Sequence, residues 1–272
     1  MDRHDVCILL NSTPKYFYLL PLQMTLLRRY APSLHWPVYF ATEVPEHPVA
    51  KELESEFHVK LLPLPKDREG FLESRETALR LLPNEILYVL PLQEDFLMDR
   101  TPDYNALLDA LFILDTDRNV SSLRLMPCPG PFHCDVLYVK EKPWKILGEK
   151  NLYVFTYQAT LWRRMDLLTY FSKLLETIQK NFKVKNEQEN KYIALTSNVG
   201  ENQYGQKILK ECLLNTLHLA WPRAHQSPNA VYICPWPYRP TAVTRGNLEP
   251  FAIELFHREG VKFERPTGNT LD

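Results

Sequence analysis

The residues best suited to chemistry lie in one short run, Leu92-Gln93-Glu94-Asp95-Phe96, directly after the apolar segment Ile86-Leu-Tyr-Val-Leu90. Two adjacent carboxylates at the end of a buried strand offer hard oxygen ligands, the kind Mg²⁺ and Mn²⁺ prefer. A cation held there can clamp a diphosphate and stabilise it as a leaving group. The same pair also suits a solvated loop that caps the next helix, and spacing alone leaves both readings open. Two further polar clusters follow apolar runs. Asn11-Ser12-Thr13-Pro-Lys15-Tyr16 comes after 6–10, and Thr42-Glu43 comes after 36–40.

Parallel strands buried on both faces must position these clusters, because continuous apolar runs read that way. Strands are expected over 6–10, 36–40, 59–62 and 86–90. Helices are expected over 16–30, 49–57 and 69–82, the last stopped by Pro83. Alternating strand and helix implies a parallel sheet with right-handed crossovers. Ligands of such sheets sit at the carboxyl ends of the strands, where the three polar clusters fall. Further on, helices are expected over 103–114, 161–182, 205–217 and 250–259. Strands are expected over 120–126, 136–140, 152–155 and 231–234, and a loop over 186–203. No repeat or Ser/Gly linker interrupts the 272 residues, which predicts one α/β domain.

Composition removes several function classes. Lys plus Arg is 32 and Asp plus Glu is 33, a formal net charge of -1, so no global field favours nucleic acid. With only 8 glycines the chain has no Gly-rich phosphate loop of the Rossmann or P-loop kind. There is no G-x-S-x-G and no H-E-x-x-H, and His133 and His218 read as packed or surface histidines. The cysteines Cys7, Cys128, Cys134, Cys212 and Cys234 are odd in number and lack C-x-x-C, so reduced thiols are expected. The apolar run at 6–10 is too short for a signal segment or a membrane span, and a cytoplasmic location is expected.

The run around residues 85 to 98 resembles the short acidic D-x-D-like motif of GT-A-type glycosyltransferases, with Gln93 in the first acidic position and Asp95 in the last. By element order the resemblance extends over roughly residues 5 to 260. It implies an α/β, GT-A-like (Rossmann-like) mostly parallel sheet. Residues 1–100 would form the half that binds a nucleotide-sugar donor, and residues 101–272 the half that binds a glycan acceptor. It implies that Asp95, with Glu94 second, holds a divalent metal (Mn²⁺ or Mg²⁺) or the donor diphosphate. Gln93 departs from the motif and is a poorer cation ligand. Asn11, Ser12, Thr13, Lys15 and Tyr16 would meet the base and ribose of a UDP- or GDP-sugar, and Thr42 and Glu43 would lie beside them. Arg75 and Arg245 would approach the donor phosphates, although each also reads as a surface arginine. Gln158 and Trp162 would frame the acceptor sugar, although Trp162 also reads as plain core. An inverting reaction needs a general base, and Glu189 and Glu201 are the candidates, each equally readable as a loop carboxylate in water. A noncatalytic binding or scaffold domain of the same fold is the alternative, suggested by Gln93.

Overall fold

In chain order the elements are β1 (Val6–Asn11), a 3-10 turn (Pro14–Leu19), α1 (Leu20–Tyr30), β2 (Val38–Thr42), α2 (Pro48–Phe57), β3 (Lys60–Pro63), α3 (Phe71–Leu81) and β4 (Tyr88–Gln93). Then come α4 (Tyr104–Thr116), β5 (Val120–Arg124), β6 (Cys134–Leu137), β7 (Lys145–Leu147), β8 (Thr160–Arg163) and α5 (Arg164–Phe182). The chain closes with α6 (Gln203–Cys212), β9 (Leu217–Ala220), β10 (Val243–Thr244), β11 (Asn247–Leu248) and α7 (Pro250–Glu259). This computed structural model describes all residues except 1, 67–69, 128–133, 138–143, 149–152, 183–202, 214–215, 222–233, 240, 245 and 264–272.

Alternation along the strands decides the layering. Every residue of β1 is buried. Val6, Ile8 and Leu10 join the cluster under α1, α2 and α4, with Val38, Phe40 and Leu90. Cys7 and Leu9 join the opposite cluster under α3, α5 and α6, with Tyr39, Val89 and Trp162. Side chains that alternate between faces, both apolar, require helices on both sides of the sheet. Among the described residues nine strands run in the order β3-β2-β1-β4-β8-β5-β9-β7-β6. β1 pairs in parallel with β2 and β4, β2 with β3, and β5 with β9. β8 runs antiparallel between β4 and β5, and β7 runs antiparallel between β9 and β6. The sheet is therefore mostly parallel in strand direction, as expected. The chain winds outward from β1 to β3 and returns through α3 to β4. This places a topological switch point between the carboxyl ends of β1 and β4.

Two adjacent arginines pin the helices that frame this point. Arg164 is 7% exposed. Its guanidinium donates to the carbonyls of Leu79 (2.9 Å), Leu82 (2.8 Å), Pro83 (2.6 Å) and Ile86 (3.3 Å). Leu79 and Leu82 lie at the end of α3, where the helix dipole also favours a cation, and Pro83 and Ile86 lie in the turn that leads to β4. Arg163 does the same beyond α4, donating to Leu114, to Asp117 (2.8 Å) and to Val120 (2.8 Å).

Several sequence expectations require correction. The helix expected over 161–182 starts at Arg164, because Thr160–Arg163 is the antiparallel strand that fills the gap between β4 and β5. The helix expected over 205–217 ends at Cys212, and Leu217 opens β9. Residues 153–155 are not a strand. The Gln206 side chain satisfies both backbone groups of Phe155, at 3.0 and 3.1 Å. The strand over 120–126 stops at Arg124. The helix over 16–30 divides into a 3-10 turn and α1, with Pro14 and Pro21 each at a helix start. Most of the 186–203 loop and residues 231–233 lie outside the described residues. Among the described residues Cys7, Cys212 and Cys234 are free thiols.

Candidate functional site

β1 and β4 end together: Asn11 and Gln93 are partners on their last shared rung. Their parity places both side chains on the α3/α5 face, with Leu9 and Pro91 beneath. A narrow cleft opens there, with about 30 Å³ of free interior beneath a mouth open to solvent. Its walls combine apolar side chains (Leu9, Leu79, Phe155, Leu167, Phe171) with a few polar ones: Asn11, Arg75, Gln93 and Gln158.

Arg75 projects from α3, one turn after Phe71. Its guanidinium lies 3.6 Å from the centroid of the Phe71 ring and donates to the Phe71 carbonyl at 3.1 Å. Tyr157 closes the corner at 5.6 Å. Burial lowers the Arg75 pKa, while Tyr157, Glu94 and Glu43 partly restore it. Glu43 and Glu94 thus act on the same cation from the ends of β2 and β4. Among the described residues Arg75 forms no ion pair, so most of its donors stay available. The side-chain amides of Asn11 and Gln93 likewise have no hydrogen-bond partner among the described residues.

The acidic turn is held firmly. Gln23 of α1 donates to the Gln93 carbonyl at 2.6 Å, and the Phe96 N–H donates to the same oxygen at 3.2 Å. Glu94 is pushed up to about 7, chiefly by desolvation and also by Asp95. Its own N–H, Arg75 and the neighbouring Ser12 hydroxyl oppose the shift. Asp95 is pushed up to about 6 by desolvation, and the backbone N–H groups of Ala242 and Val243 oppose it. Asp95 therefore faces the β10–β11 hairpin, a partner far away in sequence. Among the described residues no group of three His, Cys, Asp or Glu side chains could enclose a metal ion. Mg²⁺ often needs only one or two carboxylates, with water and substrate phosphate completing its shell. Glu94 and Asp95 offer hard oxygens of the kind such a cation takes, but they turn to different partners, Glu94 to Arg75 and Ser12 and Asp95 to the hairpin N–H groups.

The structure brings together Asn11, Arg75, Gln93, Gln158 and Trp162 as lining residues, with Ser12, Glu43 and Glu94 in electrostatic reach. Trp162 is 2% exposed and packs on Phe155 and His218, so it is core that lends one edge to the wall. Thr42 is buried, and its hydroxyl accepts from the Val44 N–H. Thr13 and Lys15 are exposed, and Lys15 sits 5.4 Å from the Tyr16 ring. Tyr16 packs toward the cluster under α7 and is not a lining residue. Glu189, Glu201 and Arg245 lie outside the described residues. Sequence reasoning missed Tyr157 and Tyr238, whose only cues are an aromatic beside Gln158 and one among prolines. His218 is packed as expected. It is buried against Ser122 at 2.8 Å, and burial lowers it to about 4.

No family model matches the chain, and no curated protein sequence is similar to it. Solved structures do resemble it. A cytidylyltransferase from Leptospira borgpetersenii has 10% identity and a TM-score of 0.41, over 98% of this chain and 100% of that one. An active-site mutant of LgtC has 12% identity and a TM-score of 0.44, over 96% and 97%. A mannosyltransferase from Pyrobaculum calidifontis, in complex with GDP-Man and Mn²⁺, has 19% identity and a TM-score of 0.40, over 61% and 46%. With TM-scores below 0.5, none of them decides what the cleft binds; its own side chains do.

Proposed function

We propose that this protein is a glycosyltransferase that moves a sugar from a UDP- or GDP-linked donor to a hydroxyl of a glycan. The observation that carries this reading is the cleft at the switch point. There a guanidinium and two amides, without ion-pair or side-chain hydrogen-bond partners among the described residues, line a cleft in electrostatic reach of Glu43 and Glu94. A nucleoside diphosphate sugar needs such a mixture: a cation for the diphosphate, amides for hydroxyls, and apolar walls for the ring faces. Residues 1–100 supply the donor half and residues 101–272 the acceptor half.

In this reading Asn11, Ser12, Thr13 and Lys15 meet base and ribose, with Tyr16, Thr42 and Glu43 shaping that end. Arg75 binds the diphosphate and stabilises the charge that develops as the sugar leaves. Lys15 and Arg245 add positive charge at the same end. Glu94 and Asp95 would hold a divalent cation, which neutralises the diphosphate as a Lewis acid when bound. Gln158 binds the sugar from the acceptor wall, and Trp162 supports it. Glu189 or Glu201 takes the proton from the attacking hydroxyl in an inverting reaction. A cytoplasmic location is part of the proposal, and no described helix is long and apolar enough to cross a membrane.

A second reading has its own support. Asp95 faces backbone N–H groups, and Gln93 stands where a carboxylate would serve a metal better. Both suit a noncatalytic domain that keeps a nucleotide-sugar pocket. A thermal-shift panel of UDP, GDP, CMP and their sugars, with and without Mn²⁺, separates the readings. A ligand at a hundred times its Kd adds about 2.7 kcal/mol. Stabilisation by one nucleotide class together with release of that nucleotide supports the transferase. Stabilisation without turnover supports the binding domain, and no stabilisation rejects both.

A further inference from the structure

We infer that Tyr238 is a positioning residue: it fixes the Gln158 side-chain amide with its NH₂ toward the cleft, making Gln158 a hydrogen-bond donor to an oxygen of the bound sugar. The inference rests on the proposed function for the ligand's identity but not for the geometry. The Tyr238 phenol is fully buried. Its oxygen is 3.0 Å from the Ala159 backbone nitrogen and 2.7 Å from the Gln158 side-chain oxygen. A backbone N–H can only donate, so the phenol oxygen accepts from Ala159. The phenol's one proton must then go to Gln158, and the atom that receives it must be the amide oxygen. Hydrogen-bond logic therefore settles which way the amide points. The NH₂ is left on the opposite side, where Gln158 lines the cleft, with no partner among the described residues.

The same ring reaches the donor side. It stacks on Phe96, with centroids 4.5 Å apart and planes at 21°. Tyr238 also bridges Met98 in antiparallel fashion. Phe96 closes the acidic turn through its N–H to Gln93. One buried aromatic thus sets the distance between the acidic turn and the acceptor wall. Burial raises the phenol well above its ordinary range, so it stays a donor at every pH the enzyme meets. Across the cleft Arg75 also only donates. A ligand between them must present oxygen acceptors on both sides, as a sugar diphosphate does.

Side-chain NH₂ order measured by ¹⁵N relaxation on the full-length protein tests the geometry without any ligand. The signal pair missing from Gln158→Glu identifies Gln158. The expected order parameter is about 0.8 in the wild type and below about 0.6 in Tyr238→Phe. Equal order in both proteins overturns the inference. Tyr238→Phe strands the Ala159 N–H, and if that variant does not fold, hydrogen exchange in the wild type decides. Gln158 NH₂ protons that face an open cleft exchange close to the free-amide rate, and protection of more than about tenfold would mean that they point inward. With a donor that the wild type turns over, Tyr238→Phe and Gln158→Glu should each raise KM about tenfold, and the double variant no more than either. Additive effects contradict the coupling. A wild type that binds no nucleotide sugar rejects the transferase reading and leaves the order parameters untouched.

Discussion

The guanidinium of Arg75 lies 3.6 Å from the centroid of the Phe71 ring, one helical turn behind it. Together with the bond to the Phe71 carbonyl, this contact holds the guanidinium plane in place while leaving its outer edge free. A cation–π contact of this kind favours a planar group that can still use its N–H edge. Arg75→Ala is therefore expected to lower kcat/KM for the donor about a hundredfold, the scale of one preorganised charge donor. Arg75→Lys keeps the charge but not the plane, and should recover less than about a tenth of the activity. Steady-state kinetics of both variants check this.

Asp95 should matter for its charge. Asp95→Asn keeps an oxygen to face the Ala242 and Val243 N–H groups, so the hairpin stays in place. Transfer should still fall about a hundredfold, with little change in Tm. Unchanged activity in Asp95→Asn would mean that the acidic turn plays no part in the chemistry.

Glu94 gives a pH signature. Its folded pKa, about 7, is raised above the ordinary carboxylate value of 4.5. A raised carboxylate favours the folded state fully below the unfolded pKa, and that advantage is lost as pH rises through the folded one. Glu94→Gln removes this dependence. Between pH 5 and about 7.5 the wild type should therefore lose stability relative to Glu94→Gln, read as diverging Tm curves. A constant difference between the two proteins across that range would contradict the buried, desolvated Glu94. If Glu94 holds a divalent cation as proposed, Mn²⁺ should raise Tm more at the upper end, where the carboxylate is ionised.

Arg164 offers a prediction about stability. Replacing it with Met removes the donor shared by four carbonyls, those of the buried Leu79, Leu82 and Ile86 and of the half-buried Pro83. A loss of about 3 kcal/mol or more is expected. Urea unfolding of the variant measures it, and a loss under about 1 kcal/mol would contradict the capping role.

Much of this was legible in the sequence. Apolar runs marked β1, β2 and β4, because strands covered on both faces need no polar alternation. The polar residues that ended them marked the switch point, and Asn11 and Gln93 do meet there. The antiparallel β8 was hidden because Thr160–Arg163 runs straight into α5, so the apolar pattern of the helix absorbed it. β9 was hidden in the same way behind α6. The partners of Asp95 and Gln158, at residues 238 to 243, could not be read at all. They depend on contacts between distant segments, which leave no local periodicity. Arg75 was marked by the family resemblance as a residue near the donor phosphates, but its aromatic corner could not be read, because it needs Tyr157 from the other half of the chain.

The most direct test of the central claim is release of nucleoside diphosphate from a panel of UDP- and GDP-sugars, comparing the wild type with Arg75→Ala. The expected result is release from one donor class, faster when a hydroxyl acceptor is added and reduced about a hundredfold in the variant. No release from any donor, or equal release by both proteins, would contradict the claim that this cleft transfers sugar.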